Sequence, residues 1–298
     1  MKAEELFFDE LINENRCVKV RNTIDYCKGF SDDTENIEVI EKLRKIIEPW
    51  LSGILQSEHL ALLVGAGLTQ SVCCIADVLS SSMGTADFKE YQVKIDSYAQ
   101  KAAQKMGRGK YNIEDQIRTS LELLSGYEID ENIDAANELS PIIDDVLESF
   151  GNSILRAESE FVKKLDKGDA KAEWALKCLV SFMLTFSSRN ATRDRLHIFT
   201  TNYDRFIEYA CDNAGIKILD RFYGKIEPVF SQNDTNLDYY YRVSDSQNEF
   251  RYAENVVRYS KLHGSVDWLQ KKNKIYHSSL KFGADKIMDI DKDKYREQ

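Results

Sequence analysis

Three short stretches carry residues whose types and spacing suit them to hold a ligand and act on it. Leu60-Ala61-Leu62-Leu63-Val64 is an apolar run that breaks into Gly65-Ala66-Gly67 and continues Leu68-Thr69-Gln70. Glycines just past a strand let backbone N–H groups approach a phosphate with no Cβ in the way, and Thr69 is placed to cap the helix that follows. Ile198-Phe199-Thr200-Thr201-Asn202-Tyr203-Asp204 is a second apolar run ending in polar residues, and Val256 to Leu262 is a third, followed at once by His263-Gly264-Ser265. A histidine there suits proton transfer, because an unperturbed pKa of ~6.5 leaves the imidazole largely neutral near neutral pH. Each residue also has a plainer use. Asn202 can cap a turn or helix, Asp204 can favour a helix N-terminus through the macrodipole, and His263 can sit buried in a tight turn with Gly264.

The elements that must position these residues follow from the pattern. A short apolar run closed by glycines predicts a parallel strand covered on both faces. The second run leads into a helix ending near Asn213, with Gly215 placed as its C-cap, and Ile216 to Leu219 supplies a strand that completes a right-handed β-α-β unit. Ligands of open α/β sheets collect at the carboxyl ends of the strands, so the three polar endings are expected to face one crevice. Ahead of the first strand, Thr34 to Gln56 has helical periodicity with Asp33 or Thr34 as cap, and Pro49 is expected to bend or split it. Residues 1 to 35 are polar and mixed, with Phe7, Phe8, Leu11 and Ile12 forming an apolar patch suited to docking on the core or on another subunit.

From Phe88 to Ser188 the pattern is almost wholly helical, in segments Tyr91 to Met106, Ile113 to Leu124, Asn132 to Phe150 continuing towards Leu165, and Lys171 to Phe186. Glycines punctuate the block at Gly107 to Gly109, Gly126 and Gly168, and Pro141 is expected to interrupt its third helix. Ile117, Leu121 and Leu124 are read as packing within the bundle, and Glu158, Glu160, Lys163 and Lys164 as solvated surface. Phe230 to Arg251 is a long loop or irregular hairpin, and Trp268 to Tyr276 a β-hairpin turning at Lys271-Lys272-Asn273.

A chain of 298 residues with 43% hydrophobic and 30% charged composition is long enough for one large domain with an insertion, or for two. The net charge of −10 argues against a grip on nucleic acid through the chain's own surface, which needs clustered Lys and Arg. No apolar run approaches the ~20 residues that span a bilayer, and the acidic N-terminus is not a signal peptide, so a cytoplasmic location is expected. The six cysteines form no Cys-x-x-Cys pair, so no metal site is expected, zinc included. The adjacent Cys73 and Cys74 are read as free cysteines on a helix.

Gly65-Ala66-Gly67-Leu68-Thr69, Thr200-Thr201-Asn202-Tyr203-Asp204 and Leu262-His263-Gly264-Ser265, in that order and each after an expected strand, resemble the NAD-binding core of the sirtuin family. The resemblance is closest to the divergent prokaryotic sirtuin-like domains that hydrolyse NAD in anti-phage defence. It implies an α/β fold with a Rossmann-like parallel sheet and a large all-helical insertion. The implied organisation is an N-terminal helical segment over 1–58, a sirtuin-like core over 59–87 and 189–298, and the insertion over 88–188. By the same resemblance, Gly65, Ala66, Gly67 and Thr69 hold the pyrophosphate of NAD, with Thr200, Asp204, Gly264 and Ser265 completing the cofactor site. Asn202 positions water and the nicotinamide ribose, Asp204 meets the carboxamide, and His263 is the base. The implied activity is cleavage of NAD to nicotinamide and ADP-ribose by an oligomeric effector with a protein partner or further domain, such as a motor ATPase, a nuclease or a phage-sensing module. The alternatives are an NAD-dependent protein deacylase or ADP-ribosyltransferase, and a catalytically silent module that binds NAD or ADP-ribose.

The sequence departs from the family at three places. The four-cysteine zinc module of the deacylases is missing. Ala86-Asp87-Phe88-Lys89 stands where a Pro-Asp-Phe-Arg segment lines the nicotinamide pocket, so no role passes to Asp87 or Phe88. The two strands that follow the histidine in sirtuins have no counterpart in the charged stretch Ser278 to Gln298, which leads to the expectation that this chain is the N-terminal portion of a longer protein, or a truncated form of one, with the core and its NAD pocket incomplete at the C-terminus.

Overall fold

The computed structural model describes residues 16–20, 23–27, 34–80, 84–189, 193–232, 237–243 and 250–286. The apolar patch around Phe7 and Leu11, the cap position Asp33 and the end of the charged tail lie outside the described residues. The chain divides into two compact units, Met1–Leu60 and Ala61–Gln298. In the first, strands β1 (Arg16–Val20) and β2 (Thr23–Cys27) pair antiparallel, and helix α1 spans Thr34–Leu55.

The second unit is built on a four-stranded parallel sheet of order β3-β4-β10-β5, comprising β3 (Ala61–Val64), β4 (Leu196–Thr200), β10 (Val256–Lys261) and β5 (Lys217–Leu219). Helix α2 (Ala66–Ala76) follows β3 directly. Then come a 3₁₀ turn at Lys89–Tyr91 and four helices, α3 (Gln92–Lys105), α4 (Ile113–Ile129), α5 (Ile133–Asp166) and α6 (Ala170–Ser187). Helix α7 (Phe206–Ala214) follows β4 and ends at Gly215 in the left-handed conformation, as expected. β5 is separated from β4 by β10, so the β4-α7-β5 crossover spans two sheet positions rather than one. A second, antiparallel sheet has the order β11-β12-β7-β6, from β6 (Phe222–Tyr223), β7 (Val229–Phe230), β11 (Trp268–Lys271) and β12 (Lys274–His277). The irregular hairpin is a short pair, β8 (Tyr240–Arg242) and β9 (Phe250–Tyr252).

Three expectations are corrected by the packing. Among the described residues β3 is an edge strand paired with β4 alone, and Leu63 is 73% exposed, so the strand is not covered on both faces. Its apolar run matches a buried strand in composition, but its position in the sheet order decides its exposure. Neither proline breaks its helix: α1 is continuous across Pro49 and α5 across Pro141. At Pro141 the flanking Leu139, Ile142, Ile143 and Val146 are buried against Phe88, Tyr91 and Ile95, and that burial outweighs the ~3 kcal/mol helix penalty of proline. Gly126 likewise lies inside α4 instead of ending it.

Candidate functional site

The carboxyl ends of β3 and β4 lie side by side, Val64 opposite Thr200, and each releases its chain into a helix. Gly65 is the N-cap of α2 with an extended backbone, so Ala66 and Gly67 supply the first N–H groups of the helix, which an α-helix leaves without intrahelical acceptors. Thr69 is therefore one turn inside α2 and does not cap it. Its hydroxyl instead donates to Asp204 Oδ2 at 2.7 Å and accepts from Asn202 Nδ2 at 3.0 Å. Asn202 Nδ2 also donates to the carbonyl of Gly65 at 3.1 Å. Asp204 Oδ1 accepts from the N–H of Phe206 at 3.3 Å, which places a carboxylate at the start of α7. Two of the three motifs are thus interlocked through Thr69.

His263 joins them across a cavity lined by Ala66, Thr69, Asn202, Asp204, His263 and, from the helices, Glu114. Phe150, Ile154, Gln70, Thr201 and Tyr203 complete the walls. Tyr203 donates its hydroxyl to Glu114 Oε1 at 2.7 Å, and the same oxygen is 3.6 Å from His263 Nδ1. Burial, reinforced by the Glu114 carboxylate, holds the Tyr203 phenol well above its usual range, so it stays a donor.

Two buried cations fix the loop that presents Asn202 to Asp204. Lys261, at the end of β10, points its ammonium at the carbonyls of Asn202, Tyr203 and Asp204 and pairs with Glu208 at 3.0 Å. Its side chain is 1% exposed. Arg205 donates its backbone N–H and Nε to Glu158 Oε1 and its Nη2 to Oε2 at 2.6 Å, and it also donates to Asp267 and to the carbonyls of Leu280 and Lys281. Glu158 is fully buried on α5, which corrects its reading as solvated surface. Burial raises its carboxyl above the ordinary range and the guanidinium opposes that rise. The hydrophilic residue type suggested exposure, and its partner lies 47 positions away, beyond any helical spacing rule.

The remaining expected residues fall outside the cavity walls. Thr200 is buried, with its hydroxyl accepting from the N–H of Asn202. Gly264 turns the chain with φ +92°, and Ser265 faces the carbonyl of Tyr203 at 3.4 Å. Gly65 and Gly67 lie beside Ala66 at the start of α2, where an added Cβ would meet nothing closer than 3.9 Å. Phe88 is wholly buried in the helical cluster and Asp87 caps its own turn through the N–H of Lys89. Cys73 is buried behind the site, its thiol pushed up to about 12 by burial and then by Asp204, whereas Cys74 is exposed. Among the described residues no group of His, Cys, Asp or Glu is arranged to hold a metal ion, and no helix is long and apolar enough to cross a membrane.

An α/β unit with a parallel sheet, two strand-to-helix endings interlocked and a histidine beside them defines a domain of the Rossmann-like class, with its cavity at the carboxyl ends of the strands, where such sheets take their ligands. Residues 196–297 match the family model for the SIR2-like domain. The match takes in the second and third motifs, and the hydrogen bonds of Thr69 and Gly65 to Asn202 and Asp204 attach the glycine turn to the matched stretch. No curated protein matches the sequence.

Proposed function

We propose that this protein is a sirtuin-like NAD hydrolase that releases nicotinamide and ADP-ribose. The observation that carries the reading is the meeting of Thr69, Asn202, Asp204 and His263 at one cavity, from motifs up to 194 positions apart in sequence, with a SIR2-like match over the latter part. The pyrophosphate belongs at the N-terminus of α2, where the N–H groups of Ala66 and Gly67 and the helix dipole favour an anion. Thr69 is a poorer phosphate ligand, because its hydroxyl is already engaged by Asn202 and Asp204. Its work is to fix both of them.

In the reaction the bond between the nicotinamide nitrogen and ribose C1′ breaks, and its electron pair returns to the ring nitrogen, neutralising the pyridinium. Water adds to the cation-like C1′, and its proton passes to His263. Asn202, with Nδ2 bound to Gly65 and Thr69, has its carboxamide oxygen left to orient that water. Asp204 faces the nicotinamide carboxamide. The helices α3 to α6 are read as an insertion that walls the cavity through Glu114, Phe150 and Ile154. The resemblance to the divergent prokaryotic domains further supports an NAD-depleting, oligomeric effector in anti-phage defence, acting in the cytoplasm with a protein partner.

The test follows nicotinamide and ADP-ribose release from NAD by the full protein and by Asn202→Ala and His263→Ala, with each variant's folding checked by thermal melting. Turnover should fall by ~10²–10⁴ in His263→Ala, the usual worth of a positioned base, and similarly in Asn202→Ala. Full activity in a folded His263→Ala protein would exclude the histidine as base.

A further inference from the structure

Glu114 belongs to none of the three motifs, yet it stands in the wall of the cavity beside His263. It is the second residue of α4, and that turn is unusually well fixed. Asn112 and Asp115 form a reciprocal capping box, and the buried Asp115 carboxylate takes both Arg108 at 2.6 Å and Arg118 at 2.8 Å. The two nearby cations are therefore committed to Asp115 rather than to Glu114. What faces the Glu114 carboxylate is the Tyr203 hydroxyl at 2.7 Å and the His263 imidazole at 3.6 Å, both at Oε1. A carboxylate at the first turn of a helix is also favoured by the helix dipole.

We propose that Glu114 is a positioning residue for His263: with Tyr203 holding it, its carboxylate faces Nδ1, keeps the proton on that nitrogen and makes Nε2 the basic one. The logic is that of a base oriented by a third group, in which the carboxylate fixes the tautomer and stabilises the imidazolium formed when the proton arrives. The separation of 3.6 Å is longer than a hydrogen bond, and the contact is expected to tighten around substrate. The other polar groups lining the cavity are neutral Thr69, Gln70, Thr201 and Asn202 and the carboxylate of Asp204, which is engaged by Thr69 and the N–H of Phe206. The catalytic geometry thereby depends on a helix outside the SIR2-like match.

The inference rests on His263 acting as base in NAD hydrolysis, so its test reads the imidazole directly as well as turnover. Histidine-¹⁵N spectra of the full protein above pH 8 report the tautomer, with His263→Asn identifying the signal. The wild-type protein should show the Nδ1–H form. Glu114→Leu should move His263 towards the Nε2–H form and lower kcat by ~10²–10⁴ with little change in KM, comparable to loss of the orienting carboxylate of a triad. Glu114→Asp should restore part of both, and Tyr203→Phe should shift the tautomer in the same direction as Glu114→Leu. An unchanged tautomer in folded Glu114→Leu would overturn the inference whatever the rate. A tautomer that shifts in a protein with no NAD turnover in any form would leave the positioning role standing and remove the hydrolase reading.

Discussion

Thr69 is the residue on which the site's internal order depends most. A hydroxyl can donate once and accept twice, and here it does both kinds of work, donating to Asp204 and accepting from Asn202. Neither serine's extra freedom nor valine's lack of an oxygen reproduces that with the same χ1 restriction. Thr69→Val keeps the shape but leaves the Asn202 amide and the Asp204 carboxylate each short of a partner in a site where Thr69 is 5% exposed. The expected loss is ~1–3 kcal/mol of stability, read from urea unfolding, together with a fall in NAD turnover. Thr69→Ser should retain most of both. A Thr69→Val protein as stable and active as wild type would mean that Asn202 and Asp204 hold their positions without it.

At the scale of elements, the Arg205–Glu158 pair joins α5 to the start of α7, and the contacts of Arg205 with Leu280 and Lys281 extend the tie to the chain beyond β12. Both side chains are buried, so removing one leaves an uncompensated charge in a low-dielectric interior. Arg205→Met should cost ~3–5 kcal/mol, whereas Arg205→Met combined with Glu158→Leu should recover a large part of that loss. A double-mutant cycle in urea measures the coupling, and additive losses would show that the pair is not the tie. This arrangement also marks the limit of sequence reading. The parallel strands, the Gly215 cap, the Lys272 turn and the grouping of Thr69, Asn202, Asp204 and His263 were legible, because each follows from short-range pattern or from the rule placing ligands at strand ends. Glu158, Lys261 and Glu114 were not, because helical periodicity gives the face of a residue within its own helix but not which charge another element brings to it. Thr69 was misplaced for a related reason: α2 begins at Ala66, a full turn earlier than a Thr69 cap would allow, since Gly65 already supplies the extended N-cap.

At the scale of the whole molecule, a ligand at this cavity touches the glycine turn on one side and His263 on the other, and so links the stretch before α3 to the stretch matched by the SIR2-like model. Binding to the folded form alone stabilises it by RT ln(1 + [L]/Kd), so each tenfold rise in ligand above Kd adds ~1.4 kcal/mol. For a unit of the size of Ala61–Gln298, 1 kcal/mol moves the melting temperature by ~2–4 °C. The folded His263→Ala protein should bind NAD without consuming it, so added NAD is expected to raise its Tm by ~3–6 °C per decade once above Kd. The loss of Asn202, whose amide ties the loop after β4 to Gly65 and Thr69, should move that rise to higher NAD concentration, because this loop and the glycine turn are no longer held in one geometry before the ligand arrives and Kd increases, while the slope above Kd stays the same. A melting temperature that ignores NAD over three decades in the His263→Ala protein would remove NAD as the ligand of this cavity; the logarithmic rise, displaced to higher NAD when Asn202→Ala is added to that protein, would place it there independently of any turnover assay.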